Sequence, residues 1–245
     1  MEATTRAEFG QANEDYLKAI FRIQEQEEGV GVSTSKLAGA LSVSPAAATK
    51  AVQHLAGKKL VSYRPYRGVK LTASGRKVAL EIIRHHRLLE TFLHDVLGYS
   101  WDAVDAEAER LEHHISEEFE ARIDQLLNYP SHDPHGDPIP SRDGRITAVS
   151  GKPLAECEAN DVVVVVRVRD RDPEMLRFMA AVGLRLGATV KIIQKQPFEG
   201  PLTIKTRADR QPVGRELASH VFVVPVEDLG EDAAPTGGKE QEVRK

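Results

Sequence analysis

The sequence predicts two fold types in one chain: a mainly α N-terminal part, then a small all-β domain. Three observations carry this. Apolar residues recur at helical spacing, between capping residues, as far as about Asn128. Pro130, Pro134, Gly136, Pro138, Pro140 and Gly144 then forbid regular structure across residues 129–145. From Val149 to Val226 the pattern becomes short β-branched runs, the strongest being Val162 to Val166. The 245 residues, 41% of them apolar, suffice for one large domain or roughly two to three small ones.

Each element has a local reason. Asn13 is placed to cap a helix through Gln26, with Tyr16, Leu17, Ile20, Phe21 and Ile23 on one face, and Gly29 and Gly31 end it. Ser33 caps a short helix holding Leu37, Ala38 and Leu41. Ser44 caps a third, with Pro45 in its first turn and Ala48, Val52 and Leu55 facing inward. Two short helices joined tightly fit a helix-turn-helix. Residues 60–63 and 69–71 flank the turn-like Arg64-Pro65-Tyr66-Arg67-Gly68, which predicts a β-hairpin and so a winged helix. Thr72 opens a long helix to about Leu97, and a helical pair spans 102–128 with a break near Ser116. Candidate strands at 162–168, 189–193, 202–205 and 220–226, with a helix at 172–182, fit a five-stranded barrel of the SH3 type. The expected domains are 1–74 (winged helix), 75–142 (helical body), 143–150 (linker), 151–228 (SH3-like) and 229–245 (disordered tail).

Charge is segregated. The chain carries a net −4, yet residues 29–80 contain no Asp or Glu beside Lys36, Lys50, Lys58, Lys59, Arg64, Arg67, Lys70, Arg76 and Lys77. Such a stretch suits a polyanion, because phosphates repel carboxylates and release counterions to bound cations. On the third helix Ser44, Pro45, Ala46, Ala47, Thr49 and Lys50 form the outward start, small enough for close approach to base edges. Lys36, Arg64 and Arg67 would position the duplex. The lone Cys157 excludes an internal disulfide and fits a cytoplasmic setting, and Val162 to Val166 is too short to span a membrane.

Beyond residue 80 the balance turns acidic, with histidines among the acids. Glu109, Glu112 and His113 lie three and four apart, and His86 stands four before Glu90. Two carboxylates and an imidazole suit a divalent ion of intermediate hardness, manganese or ferrous iron. Asp15 in the first helix is a further acid near Glu14.

With these residues in view, the chain resembles the diphtheria toxin repressor and manganese transport regulator family of metal-activated repressors. The likeness rests on Glu14-Asp15-Tyr16-Leu17, Pro45 to Lys50, Tyr66-Arg67-Gly68, Leu71-Thr72, His86 to Glu90, Glu109 to His113 and Gly136 to Pro140. Leu176-Arg177, Gly183-Leu184, Gly187-Ala188 and Phe198 to Pro201 resemble that family's SH3-like domain, akin to ferrous-iron-transport accessory domains. By position the resemblance implies a primary, DNA-activating metal site of Asp15, Glu109, Glu112 and His113, with His86 in the cluster. Iron-type members tend to carry Met and Cys where this chain has Asp15 and Glu109, and the exchange of sulfur for carboxylate favours manganese. Lys18 stands where manganese-type members supply a Glu, and Asp105 where iron-type members supply a His. A second site of His86, Glu90 and Asp105 is implied, with Asp172 or Glu174 as completing ligands. The implied cofactors are Mn²⁺ or Fe²⁺, with other divalent transition metals as substitutes. The implied partners are a second copy of the chain and a double-stranded operator with two-fold-related half-sites; no membrane and no catalysis are expected.

Two rivals compete with a metal-dependent regulator of uptake genes. A metal-independent winged-helix regulator would bind its operator unchanged after Glu112→Ala and His113→Ala. A metallohydrolase would need a general base and an open coordination position in a cleft.

Overall fold

The computed structural model describes residues 10–26, 31–64, 67–147, 151–169 and 172–228, and its first helix, α1 (Gln11–Gln26), starts ahead of the expected Asn13. The Asn13 amide donates to Gly10 O at 2.8 Å, so backbone closes the first turn. Helix α2 (Thr34–Ala40) is capped by Ser33, whose Oγ accepts from the Lys36 amide at 3.1 Å. Helix α3 (Pro45–Gly57) is capped in the same way by Ser44, from Ala47 at 3.2 Å. Strands β1 (Val61–Arg64) and β2 (Gly68–Leu71) pair antiparallel, with Val61 opposite Leu71 and Arg64 opposite Gly68.

The segment before α2 adds to this hairpin: Val32 and Val69 exchange backbone hydrogen bonds of 2.9 and 2.8 Å. Gly68 has φ +76°, and a Cβ there would stand 2.7 Å from backbone of Gly31 and Val32. Only glycine fits both demands. Leu17, Phe21, Leu37, Val52, Leu55 and Val69 form the core under α1 to α3 and the hairpin, which together make a winged helix.

Helix α4 (Ala73–Asp95) follows, with Thr72 Oγ1 accepting from the Gly75 amide at 3.1 Å. Helices α5 (Val104–Leu111) and α6 (Glu117–Leu126) form the expected pair, α6 capped by Ser116. Helix α5 stops at Leu111, so Glu112 and His113 occupy the turn after it, although the Glu112 amide still reaches Ala108 O at 2.9 Å. Arg84 on α4 ties this body together. Its Nε donates to Glu120 at 2.6 Å, Nη2 to Asp124 at 2.6 Å and Nη1 to Pro140 O at 2.8 Å.

The chain divides into two compact units: Met1–Leu89 with Ala108–Pro130 and Ile139–Ile146, and Glu90–Glu107 with Ser131–Pro138 and Thr147–Lys245. The second unit holds an antiparallel sheet of six strands: β3 (Lys152–Pro153), β4 (Val162–Val168), β5 (Thr189–Lys195), β6 (Leu202–Lys205), β7 (Arg210–Val213) and β8 (Val221–Pro225). Their order is β3-β8-β4-β5-β6-β7. Helices α7 (Pro173–Ala181) and α8 (Arg215–Ser219) accompany it, and Leu154, Val163, Val165, Leu176, Ile192 and Val223 lie in its core. The sequence pattern located four of these strands within an expected five-stranded barrel. The two it did not locate, β3 and β7, are the edges, and each contains a proline, Pro153 or Pro212, which an edge tolerates.

Cys157 is buried, and burial pushes its thiol up, as suits a core residue. Tyr66 and the expected tail at 229–245 lie outside the described residues. Among the described residues no helix is long and apolar enough to cross a membrane.

Candidate metal centre and nucleic-acid interface

Helix α1 presents Glu14, Asp15 and Lys18 to the turn that follows α5. His113 lies between two acids: Nδ1 is 2.6 Å from Glu14 Oε2, and Nε2 is 2.8 Å from Asp15 Oδ1. Nε2 also lies 3.3 Å from Glu112 Oε1. One ligand atom from each of Asp15, Glu112 and His113 falls within 4.8 Å of the other two, a spacing that a single divalent ion can bridge. Burial alone would lower the His113 imidazole, but the hydrogen bonds with Asp15 and Glu14 outweigh it and raise its pKa to about 9. The buried cluster therefore already holds a positive charge against its carboxylates, which is the demand a metal ion would meet. The donor set, imidazole with carboxylates, fits manganese or ferrous iron.

Glu109 and His86 face the same turn from the other side, around Lys18. Lys18 Nζ lies 2.7 Å from Glu109 Oε2, 2.6 Å from Glu112 Oε2 and 3.2 Å from His86 Nδ1. Burial, then the Arg22 charge, draws the ammonium below the ordinary lysine range, while Glu112 and Glu109 oppose this. Burial also pushes the Glu112 carboxyl up, against the pull of Lys18. With several acceptors around Nζ, an ion pair is the state the geometry fits.

A separate cluster forms in the second unit. Glu90, Asp133 and His135 are all buried, with ligand atoms within 4.8 Å of one another. His135 Nε2 donates to Trp101 O at 2.8 Å. Its Nδ1 lies 3.6 Å from Glu90 Oε1. Asp133 Oδ1 accepts from the amides of His135 and Asp137, both at 2.9 Å, and so shapes the loop. Gly136 has φ +85°, and a Cβ there would meet Val166 O at 2.2 Å. Sequence reasoning passed over Asp133 and His135 as members of a Pro/Gly-rich linker. The Asx-turn string Asp133-Pro134-His135-Gly136-Asp137 is the signal that could have found them.

The remaining expected ligands are placed as follows. Asp105 is half-buried in the first turn of α5, four residues before Glu109. Asp172 caps α7, its Oδ1 accepting from the Glu174 amide at 2.7 Å, and Glu174 is exposed in the first turn.

On the winged helix, Ser44, Pro45, Ala46, Ala47 and Lys50 are exposed along the first turns of α3, and Lys36 is exposed on α2. Ser44 Oγ is occupied by the cap, and Thr49 Oγ1 donates to Pro45 O at 2.9 Å. Arg64 and Arg67 are exposed at the hairpin tip. Arg76 has a local role: its guanidinium lies 4.8 Å from the Phe21 ring centroid.

A recognition helix without acids, joined through α1 to a buried imidazole–carboxylate cluster, defines a metal-responsive DNA-binding protein. The comparisons agree. Residues 8–69 match the model of the iron dependent repressor N-terminal DNA binding domain, and residues 72–141 that of its metal binding and dimerisation domain. Residues 152–225 match the FeoA domain. The diphtheria toxin repressor of Corynebacterium efficiens is 30% identical over 227 residues, covering 88% of this chain and 96% of that protein. The regulator MntR of Oceanobacillus iheyensis is 36% identical over 116 residues, 47% of this chain and 77% of that one. A solved manganese-dependent transcriptional repressor in complex with manganese superimposes with a TM-score of 0.79 at 38% identity, covering 87% of this chain and 100% of its own. The chain belongs to the diphtheria toxin repressor family of iron-dependent repressors, which are metal-dependent DNA-binding transcriptional regulators.

Proposed function

We propose that this chain is a cytoplasmic, homodimeric repressor of metal uptake genes, activated by manganese, with ferrous iron as the alternative ion. It acts by binding rather than by catalysis. The observation that carries this is the approach of Asp15, on the helix that packs under the recognition helix, to Glu112 and His113 in the turn after α5. A bound divalent ion would supply the charge that these facing carboxylates demand and would join α1 to that turn. Asp15, Glu112 and His113 hold it; Glu14 keeps the His113 ring oriented through Nδ1. Carboxylate donors from Asp15 and Glu112 beside one imidazole favour manganese, and other divalent transition metals can substitute.

Glu90, Asp133 and His135 form a second metal site in the other unit, where the His135 ring is aimed by its bond to Trp101 O. On the DNA side, Ala46 and Ala47 admit the base edges, while Lys36, Lys50, Arg64 and Arg67 meet phosphates. Two chains related by a two-fold axis place two recognition helices on two half-sites, and metal fixes their spacing. Exposed Phe119 and Leu126 on α6 offer apolar surface for such pairing.

The test is fluorescence anisotropy of DNA from the chain's own upstream region, at fixed salt, with and without Mn²⁺ or Fe²⁺. Tighter binding with metal, lost in Asp15→Ala, is expected. Equal binding with and without metal would leave a winged-helix regulator with no metal switch.

A further inference from the structure

Lys18 is 2% exposed, and its ammonium has the surroundings of a metal ion. Both Glu112 oxygens lie 2.6 and 2.7 Å from Nζ, Glu109 Oε2 lies at 2.7 Å and His86 Nδ1 at 3.2 Å. His86 Nδ1 is itself 2.6 Å from Glu112 Oε2 and 3.5 Å from Glu109 Oε2. Two carboxylates and an imidazole thus converge on one point. They form a donor set like that of Asp15, Glu112 and His113, and they share Glu112 with it. The contacts have hydrogen-bond lengths, longer than the ~2.0–2.2 Å of imidazole and carboxylate ligands on a transition metal. Lys18 comes from α1, three residues after Asp15, so one helix turn supplies a ligand to one half and a cation to the other.

We propose that Lys18 is a tethered cation filling the His86–Glu109–Glu112 half, so that the centre takes one divalent ion, at Asp15, Glu112 and His113, and not a pair bridged by Glu112. The inference rests on the metal-centre reading above. A second divalent ion in that half would have to displace an ammonium that the polypeptide holds at high effective concentration. Lys18 also joins α1 to the α5 turn before any metal arrives.

Manganese electron paramagnetic resonance on the full chain separates one ion from a pair. Ions about 4 Å apart across a carboxylate are exchange-coupled, whereas isolated Mn²⁺ gives a six-line signal. The wild-type chain at saturating Mn²⁺ is expected to show uncoupled ions only. Lys18→Glu removes the cation and adds an oxygen donor; it is expected to bind one more Mn²⁺ per chain and to show the coupled signal. Lys18→Gln removes the charge with a polar, somewhat shorter side chain, and covers the case in which Lys18→Glu does not fold by circular dichroism. Metal at Glu90, Asp133 and His135 is common to all three proteins and cancels in the difference. A coupled pair in the wild type, or folded variants that gain no ion, would overturn the proposal. Manganese uptake insensitive to Asp15→Ala and His113→Ala would instead overturn the metal-centre reading beneath it.

Discussion

Glu14 Oε2 lies 2.6 Å from His113 Nδ1, with both side chains buried, so the opposite nitrogen of the ring is turned toward Asp15 and Glu112. A ligand histidine whose far nitrogen is held by a carboxylate is more basic and fixed in direction, and loss of such a partner typically costs ~10–100-fold in metal affinity. Glu14→Ala should therefore weaken Mn²⁺ binding by about tenfold or more while every direct ligand remains. Calorimetric titration against the wild type checks this; equal affinities would mean that Glu14 only satisfies a buried ring.

The same contacts set a pH dependence. With its pKa raised to about 9, His113 is protonated at neutral pH in the metal-free protein. For stability, a raised pKa means that its contribution is complete below the ordinary 6.5 and is lost as pH rises through about 9. Metal must displace that proton, so Mn²⁺ affinity should climb with pH, by up to about tenfold per unit, until near pH 9. Titrations in buffers of different ionisation enthalpy should register about one proton released at pH 7.5. An affinity flat between pH 7 and 8.5 would remove His113 from the ligand set.

Arg84 grips Glu120, Asp124 and the Pro140 carbonyl, and His85 Nε2 adds a contact of 2.9 Å to Glu120. Burial alone would raise the Glu120 carboxyl, but the bonds from His85 and Arg84 prevail and lower its pKa to about 2. A depressed pKa contributes stability above the ordinary 4.5, lost as pH falls through about 2. That loss is ~3 kcal/mol at most. Arg84→Met leaves two buried acids without their cation and should cost about 3–5 kcal/mol. Urea denaturation at pH 7 measures the second effect, and the acid limb of a stability profile the first. A variant as stable as wild type would show that the network is dispensable.

The wing depends on Gly68. Gly68→Ala combines a left-handed backbone, worth ~1–2 kcal/mol, with a Cβ 2.7 Å from the Gly31 and Val32 backbone. It should lower the thermal midpoint and weaken operator binding together, since Arg64 and Arg67 ride on the hairpin that shifts. Weaker DNA binding without loss of stability would point to a direct contact instead.

Much of the fold was legible because its signals are local. Ser33 and Ser44 cap the helices they promised, the break expected near Ser116 is there, and the Val162 run is a central strand. The edge strands were not legible, since Lys152–Pro153 is too short to alternate and Pro212 argues against a strand. The end of α5 at Leu111 has no Gly or Pro to announce it; the next break in pattern is Ser116. At the metal centre, residue types and helical spacing bring together Glu109, Glu112 and His113, and the family resemblance adds Asp15 and His86. What spacing cannot supply is which ionisable groups meet across elements: Glu90 with His135, or Lys18 with His86, are encounters that only tertiary packing decides.

Lys50 and Ala47 separate the two parts of DNA recognition. Both are exposed on the first turns of α3, in a region without acids. If Lys50 meets a phosphate, Lys50→Ala removes one counterion-releasing contact per chain. The slope of log affinity against log salt should then fall by about 0.9 per half-site, with similar losses on operator and unrelated DNA. A small residue at position 47 instead serves approach to base edges, where no charge is exchanged. Ala47→Glu should abolish operator binding by placing a carboxylate against the groove, yet leave Mn²⁺ uptake at wild-type affinity. If Lys50→Ala changes operator preference while the salt slope stays fixed, Lys50 reads a guanine and the phosphate contacts lie with Lys36 and the wing arginines. If Ala47→Glu binds operator as the wild type does, α3 does not enter the major groove.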